Sequence, residues 1–230
     1  MEAIIRDGLE ALGLPTENAG KLARYGRLLL EKNRVMNLTA ITEPKDVAAL
    51  HFLDSAALLT LADFRGKKVA DVGTGAGFPG LPLKIVEPSM DVTLLDSLNK
   101  RIDFLKDVCA DLGVDAACVH ARAEEFAAGH RESFDIVTSR AVANLQMLSE
   151  LCLPLVKVGG WFLAMKAVDS DGEIAAAKKA IATLGGTVER WEDYAIPTSD
   201  VRHRLVFIKK VAPTPPKYPR AFAKIKKSPL

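Results

Sequence analysis

The residues whose types and spacing carry the most chemistry are Asp71-Val72-Gly73-Thr74-Gly75-Ala76-Gly77-Phe78-Pro79-Gly80, entered from the apolar Val69-Ala70 and left through a helix-like stretch. A strand that runs into alternating glycines lets the backbone turn sharply and approach a ligand where a side chain would collide. Gly75-x-Gly77-x-x-Gly80 satisfies the nucleotide-type G-x-G-x-x-G, so this pattern alone does not separate a nicotinamide cofactor from S-adenosylmethionine. Asp71 sets an anion beside the loop, which repels a pyrophosphate and favours the cationic amino group and sulfonium of S-adenosylmethionine. Asp96 closes the next apolar run, where a carboxylate accepts hydrogen bonds from ribose hydroxyls; both cofactor classes share this feature. Ala123 and Glu124 follow the third apolar run and can meet an adenine amino group at the same edge, or simply cap a solvated turn.

A sheet must present these residues along one edge. After Lys67, short apolar runs alternate with amphipathic segments, the pattern of βαβ units and a parallel sheet. Strands are expected at 68–72, 91–96, 117–121, 134–138 and 161–165, with helices over 80–86, 100–112, 145–156 and 173–184. Gly113, Gly159-Gly160 and Gly185-Gly186 read as helix-closing glycines. Residues 187–195 and 203–211 both read as strands, and the short segment between them has no room for a crossover helix, so they pair antiparallel. A parallel sheet ending in an antiparallel hairpin favours the methyl donor over the dinucleotide. The expected fold class is therefore α/β, a class I S-adenosylmethionine-dependent methyltransferase fold, Rossmann-like, with a seven-stranded sheet and an N-terminal helical extension. Residues 1–66 read as a helical cap (helices over 2–12, 17–32 and 44–61), 67–212 as the α/β domain and 213–230 as a basic arm.

The net charge of +2 conceals an asymmetry: residues 201–230 carry +9 and no acid, leaving −7 on residues 1–200. Basic residues interleaved with aromatics suit phosphate contact, and Arg202, Arg204, Lys217, Tyr218, Arg220, Lys224, Lys226 and Lys227 are the expected RNA-binding residues. At 230 residues the chain can bury one substantial core. It has no apolar run long enough to span a membrane, and is expected to be soluble and cytoplasmic. Cys109, Cys118 and Cys152 read as buried small hydrophobes, and the four scattered histidines form no metal-ligand spacing, so no metal is expected.

The methyl acceptor is narrowed by what is missing. Thr138-Ser139-Arg140-Ala141-Val142 stands where an amino-methylating enzyme would carry a D/N-P-P-Y type loop, and no Pro-Cys pair offers a nucleophile for a pyrimidine ring. Guanine N7 has a lone pair and no proton to remove, so it needs alignment and charge stabilisation more than a base. Arg140, at the end of the fourth strand, is the leading catalytic candidate; it can hold the cofactor carboxylate, a phosphate or guanine O6, and a plain ion pair is the alternative.

Asn37-Leu38-Thr39-Ala40-Ile41, His51-Phe52-Leu53-Asp54-Ser55, the 71–80 loop, Ser139-Arg140-Ala141 and Lys217-Tyr218-Pro219-Arg220 together closely resemble the RsmG family, also called glucose-inhibited division protein B (GidB). The resemblance spans nearly the whole chain. It implies a bacterial guanine-N7 methyltransferase of 16S small-subunit rRNA, acting at the decoding-side pseudoknot. It further implies a cofactor site using Gly73, Phe78, Asp96 with Ser97, Ala123-Glu124 and Arg140, and 16S rRNA or a small ribosomal subunit or assembly intermediate as partner. The tail departs from the family pattern at Ala221 and Ala223. His51, Asp54 and Ser55 form a polar stripe that can face the acceptor or serve packing alone. The protein is expected to be a monomer. The rival readings are an NAD(P)-dependent oxidoreductase, a methyltransferase of another RNA and a non-catalytic RNA-binding module.

Overall fold

The computed structural model describes residues 1–140 and 143–230. The chain opens with helices: α1 (Glu2–Ala11), α2 (Ala19–Met36), then a rod made of α3 (Pro44–Val47), a π-helical segment (Ala48–Leu53) and α4 (Asp54–Leu61). Strand and helix then alternate through β1 (Lys68–Val72), α5 (Gly80–Val86), β2 (Asp91–Asp96), α6 (Asn99–Leu112), β3 (Ala117–His120), α7 (Ala123–His130), β4 (Phe134–Arg140) and α8 (Leu145–Cys152). The chain finishes with β5 (Val156–Ala167), α9 (Asp171–Thr183), the hairpin β6 (Gly186–Ala195) and β7 (Arg202–Lys210), and a short α10 (Phe222–Lys227).

The seven strands form one sheet in the order β3-β2-β1-β4-β5-β7-β6, parallel from β3 to β5 and antiparallel where β7 meets β5 and β6. The expected α/β fold, parallel sheet and closing hairpin are all present. Apolar layers cover both faces. Val69, Ile136, Leu163, Leu205 and Phe207 join α1, α2, α5, α6 and the π segment in one core, so the first helices and the sheet bury surface together. Ala70, Val72, Val137, Phe162 and Val206 face α8 and α9 on the other side.

Strand alternation decides what the site contains, because residues two apart share a face. Arg140 follows Ile136 and Thr138 on β4, and His203 precedes Leu205 and Phe207 on β7. Both therefore project toward the N-terminal helices. Register brings them close: Arg140 pairs with Met165, and Ala167 with His203, at the carboxyl end of the parallel strands.

Three expectations give way. The third helix is not a uniform rod, because a π-helical segment interrupts it at Ala48–Leu53, and hydrophobic spacing does not register such a widened turn. Helix α8 stops at Cys152: Pro154 lacks an amide donor and sits in a 3-10 turn, so β5 starts at Val156. Gly159-Gly160 accordingly lies within β5, at an irregularity opposite Phe134 and Ile136, and closes no helix. Gly160 is required there because a Cβ would press on the Asp135 carbonyl. Gly113, left-handed just past α6, does close its helix. Cys109 and Cys152 are buried and Cys118 half-buried; the Cys109 and Cys118 sulfurs are 4.0 Å apart.

Candidate active site

The glycine loop is braced from below. Asp71 is fully buried and its Oδ2 accepts from Thr74 Oγ1 (2.6 Å) and the Gly80 amide (2.8 Å), while Oδ1 accepts from Thr138 Oγ1 (3.3 Å). Burial pushes its carboxyl up to about 6, against the pull of those donors and of Arg140. Asp71 thus ties the loop to α5 and, fully buried, lines neither cavity of the loop, in contrast to its expected place beside a sulfonium. Gly77 likewise lies beneath the loop: its φ of 103° and the Tyr25 hydroxyl against it leave no room for a Cβ. Gly75, at φ 61°, has open space where a side chain would project. Its amide donates to Asp96 Oδ2 at 2.9 Å. Asp96 also accepts from the Leu98 amide (2.9 Å) and Arg101 (3.2 Å).

Across the cleft, Arg140 organises a cluster. Its Nη1 donates to the Leu50 carbonyl (2.9 Å) and Asp54 Oδ2 (3.0 Å), and its Nη2 to His51 Nδ1 (2.9 Å). The guanidinium carbon lies 5.1 Å from the Phe78 ring centre. A guanidinium only donates, so His51 Nδ1 accepts, and the proton on Nε2 goes to Thr39 Oγ1 at 2.8 Å. Burial first and the Arg140 charge second pull the His51 pKa down to about 3, so the ring is neutral. It stacks on Phe78 at 4.3 Å, and Phe78 stacks in turn on Tyr25 at 5.5 Å. Asp54 is fully buried and takes Tyr194 Oη (2.8 Å) and His203 Nδ1 (2.9 Å) on its other oxygen. Burial alone would raise its carboxyl; the His203 hydrogen bond, the Arg140 charge and Tyr194 outweigh that and hold it below the ordinary value.

Two cavities adjoin along the loop. One of about 430 Å³ is lined by Gly73, Gly75, Phe78, Asp96, Ser97 and Arg140, with Thr39 and His51 opposite. The other, about 270 Å³, shares Gly73, Asp96 and Ser97 and continues to Ala123, Glu124 and Phe222. Both sit at the carboxyl edge of the sheet, where open α/β sheets bind ligands. A cavity of about 530 Å³ beside Lys67 and Lys157 lies at the opposite, amino edge. Ala141 and Val142, part of the segment after β4 singled out in the sequence, lie outside the described residues.

The structure therefore gathers most of the expected cofactor residues on one continuous wall and sets Asp71 and Gly77 behind it. The basic residues separate into two groups. Arg204 is buried between Asp193 (2.6 Å) and Asp171 (3.0 Å), Arg220 is clamped to the buried Glu150 (2.7 Å through Nε), and Tyr218 is buried. These three hold the hairpin and the arm in place, which departs from their expected exposure to RNA: their partners lie far away in sequence. Arg202, Lys217, Lys224, Lys226 and Lys227 are exposed. Sequence reasoning missed Tyr25, Tyr194 and His203, whose roles arise only from long-range packing. Asn33, which binds the Leu38 and Thr39 amides (2.6 and 2.9 Å) and so shapes the loop that carries Thr39, had no local signal either. Ser55 turns back to the His51 carbonyl (2.6 Å) and leaves the polar stripe.

Among the described residues no helix is long and apolar enough to cross a membrane, and no group of three His, Cys, Asp or Glu could hold a metal. Solved structures share the fold: TYW2 of M. jannaschii in complex with AdoMet aligns with TM-score 0.56 and 13% identity over 69% of this chain and 75% of that one. A Pyrococcus horikoshii RNA methyltransferase candidate, PH1948, aligns with TM-score 0.54 and 16% identity over 69% of this chain and 85% of that one. Sequence relatives are nearer. "Ribosomal RNA small subunit methyltransferase G" of Clostridium novyi is 49% identical over 90% of this chain and 87% of its own length. The protein of the same name from Alkaliphilus oremlandii is 45% identical over 100% and 99%. A profile described as GidB, rRNA small subunit methyltransferase G, matches residues 18–200. With that profile spanning most of the chain and such relatives aligned over nine-tenths of it or more, this chain belongs to the rRNA small subunit methyltransferase G family.

Proposed function

We propose that this chain transfers the methyl group of S-adenosylmethionine to N7 of a guanine in 16S rRNA, in the cytoplasm, acting on the small ribosomal subunit or an assembly intermediate. The observation that carries the reading is the chemistry of the cleft between the glycine loop and Arg140. His51 has both nitrogens committed to Arg140 and Thr39, and Asp96 already accepts from three donors. A cleft wall with no unpaired imidazole beside the methyl donor suits an acceptor that has a lone pair and no proton to lose. The names of the relatives support the rRNA substrate.

The two adjoining cavities fit an elongated cofactor with an amino-acid end and an adenosine end. In this reading Gly73 and Gly75 would allow close approach, Asp96 and Ser97 would hold the ribose, Ala123 and Glu124 would border the adenine, and Arg140 would close the far end of the cavities that these residues line. S-adenosylmethionine supplies a methyl on a sulfonium sulfur, which the N7 lone pair takes as the S–C bond breaks and its electrons return to sulfur. Arg140 is the catalytic residue of this reading, its guanidinium held by Asp54, His51 and Leu50 so that its remaining donors meet substrate or cofactor carboxylate without reorganising. The exposed Arg202, Lys217, Lys224, Lys226 and Lys227 provide phosphate contacts.

Thermal unfolding with ligands tests the cofactor assignment. S-adenosylhomocysteine at 100 times its Kd should stabilise by about 2.7 kcal/mol and raise Tm by roughly 5–10 °C. Stabilisation by NADH and none by S-adenosylhomocysteine would reverse the assignment.

A further inference from the structure

A further cavity, of about 480 Å³, opens at the carboxyl ends of β4 and β5 and meets the glycine-loop cleft at His51 and Arg140. Ile41, Leu50, Met165 and Val201 give it apolar walls, a setting that takes a flat aromatic ring out of water. Its polar groups are few. Lys166 commits its ammonium to the Ala143 carbonyl (2.8 Å) and Glu173 (2.7 Å), and both His51 nitrogens are in use. His203 differs. Its Nδ1 lies 2.9 Å from Asp54 Oδ1, and because that carboxylate only accepts, Nδ1 carries the proton. Nε2, on the far side of the ring, has no hydrogen-bond partner among the described residues, and His203 lines the cavity.

Asp54 therefore fixes the His203 tautomer while it anchors Arg140 and takes the Tyr194 hydroxyl. One buried carboxylate holds an acceptor and a guanidinium on either side of an apolar slot.

We infer that this cavity seats the methyl-accepting purine, turned out of its RNA stack, and that His203 Nε2 accepts the N1–H of guanine while N7 faces the Arg140 boundary with the glycine-loop cleft. The inference rests on the guanine-N7 reading and names the residue that selects the base. Guanine presents N1–H and N2–H donors on that edge. Adenine presents a bare N1, whose lone pair would meet the His203 lone pair, leaving two acceptors face to face. Extrusion of the base is how enzymes reach atoms inside a nucleic-acid stack. The same bond aids the reaction: a purine that gains a methyl at N7 becomes a cation and its N1–H a stronger donor, so the contact tightens as charge develops. The negative charge of Asp54 lies directly behind the accepting ring.

His203→Ala and His203→Gln separate base reading from support of the cluster. A glutamine amide can donate to Asp54 and accept from the base, whereas alanine does neither. Two measurements are made: binding of 7-methylguanosine monophosphate and AMP to the S-adenosylhomocysteine-loaded protein, and methyl transfer to small-subunit particles lacking the modification. The wild type should prefer the methylated guanine nucleotide. His203→Ala should reduce that preference and kcat by about tenfold or more with S-adenosylhomocysteine affinity unchanged within twofold, and His203→Gln should recover most of both. An unchanged preference in His203→Ala, no preference in the wild type, or a parallel loss of S-adenosylhomocysteine binding would overturn the inference. A wild type that binds the nucleotides with this preference yet methylates no particle would contradict the rRNA reading and leave the base site standing.

Discussion

Arg140→Ala should destabilise the protein and silence it for separable reasons. In the folded chain the guanidinium neutralises Asp54, which has no solvent exposure, and satisfies the Leu50 carbonyl. The Arg140 side chain is itself only 16% exposed, so water screens the pair little. Removing one partner of a buried pair leaves the other charge stranded, at a cost of about 3–5 kcal/mol. Tyr194 and His203 still donate to Asp54, which places the expected loss near the lower end, about 3 kcal/mol. That lowers Tm by roughly 6–12 °C. Adding Asp54→Asn removes the stranded charge, so the double variant should recover about 1–3 kcal/mol relative to additive losses. Methyl transfer should stay down by about a hundredfold in both, because the amide does not replace a guanidinium aimed at the reacting centre. Urea unfolding of the four proteins, read by circular dichroism, gives the cycle, and labelled methyl transfer gives activity. Additive stability losses would show that Arg140 does not neutralise Asp54, and wild-type turnover in Arg140→Ala would remove it from the reacting centre.

Gly77→Ala, at φ 103° and against the Tyr25 hydroxyl, should cost about 3 kcal/mol in urea unfolding, whereas Gly75→Ala, at φ 61° with open space, should cost about 1 kcal/mol yet weaken S-adenosylhomocysteine tenfold or more by calorimetry. His51 stays neutral in the fold down to about pH 3, so below about 6.5 the unfolded chain binds the extra proton and this group's contribution to stability falls with acid. Asp71, raised to about 6, holds a proton that the unfolded chain has released, so its contribution falls as pH rises from about 4 to 6 and opposes the His51 slope. Unfolding free energies of His51→Gln from urea titrations at pH 4.5, 5.5 and 6.5 should therefore rise on acidification relative to wild type, by about 1 kcal/mol per pH unit. Glu150→Ala should free the arm that Arg220 anchors, seen as faster tryptic cleavage at Lys217 and Lys224. Replacing Lys224, Lys226 and Lys227 with alanine should lower the salt slope of rRNA binding by about 2, while Arg204→Ala should change unfolding and leave the slope nearly unaltered.

Much of the architecture is legible from short-range pattern. The glycine loop, the alternation after Lys67 and the hairpin spacing each follow from chain stereochemistry within a few residues, and they suffice for the sheet and its ligand edge. Arg140 is legible as a site residue because it ends a strand at that edge. What it binds is not: Asp54 lies on a helix far back in the chain, and the π-helical turn beside it changes which side chains reach Arg140. Asp71 illustrates a different difficulty. Its spacing before the glycines suits a ligand contact and a loop brace equally, and only burial distinguishes them. In the tail, charge counting treats Arg204, Lys210 and Arg220 as surface cations, yet Asp193, Thr214 and Glu150 draw all three inside. A buried acid such as Glu150 on α8 has the same sequence signature as an exposed one.

The most direct trial is chemical mapping of the product base. Purified protein is incubated with methyl-labelled S-adenosylmethionine and small ribosomal subunits that lack the modification, and the RNA is then treated with borohydride and aniline, which cut the chain at N7-methylguanine. Label should appear in the 16S RNA together with one enzyme-dependent scission at a guanine, both lost in Arg140→Ala. Label recovered without any such scission, or carried only by protein, would contradict the guanine-N7 assignment.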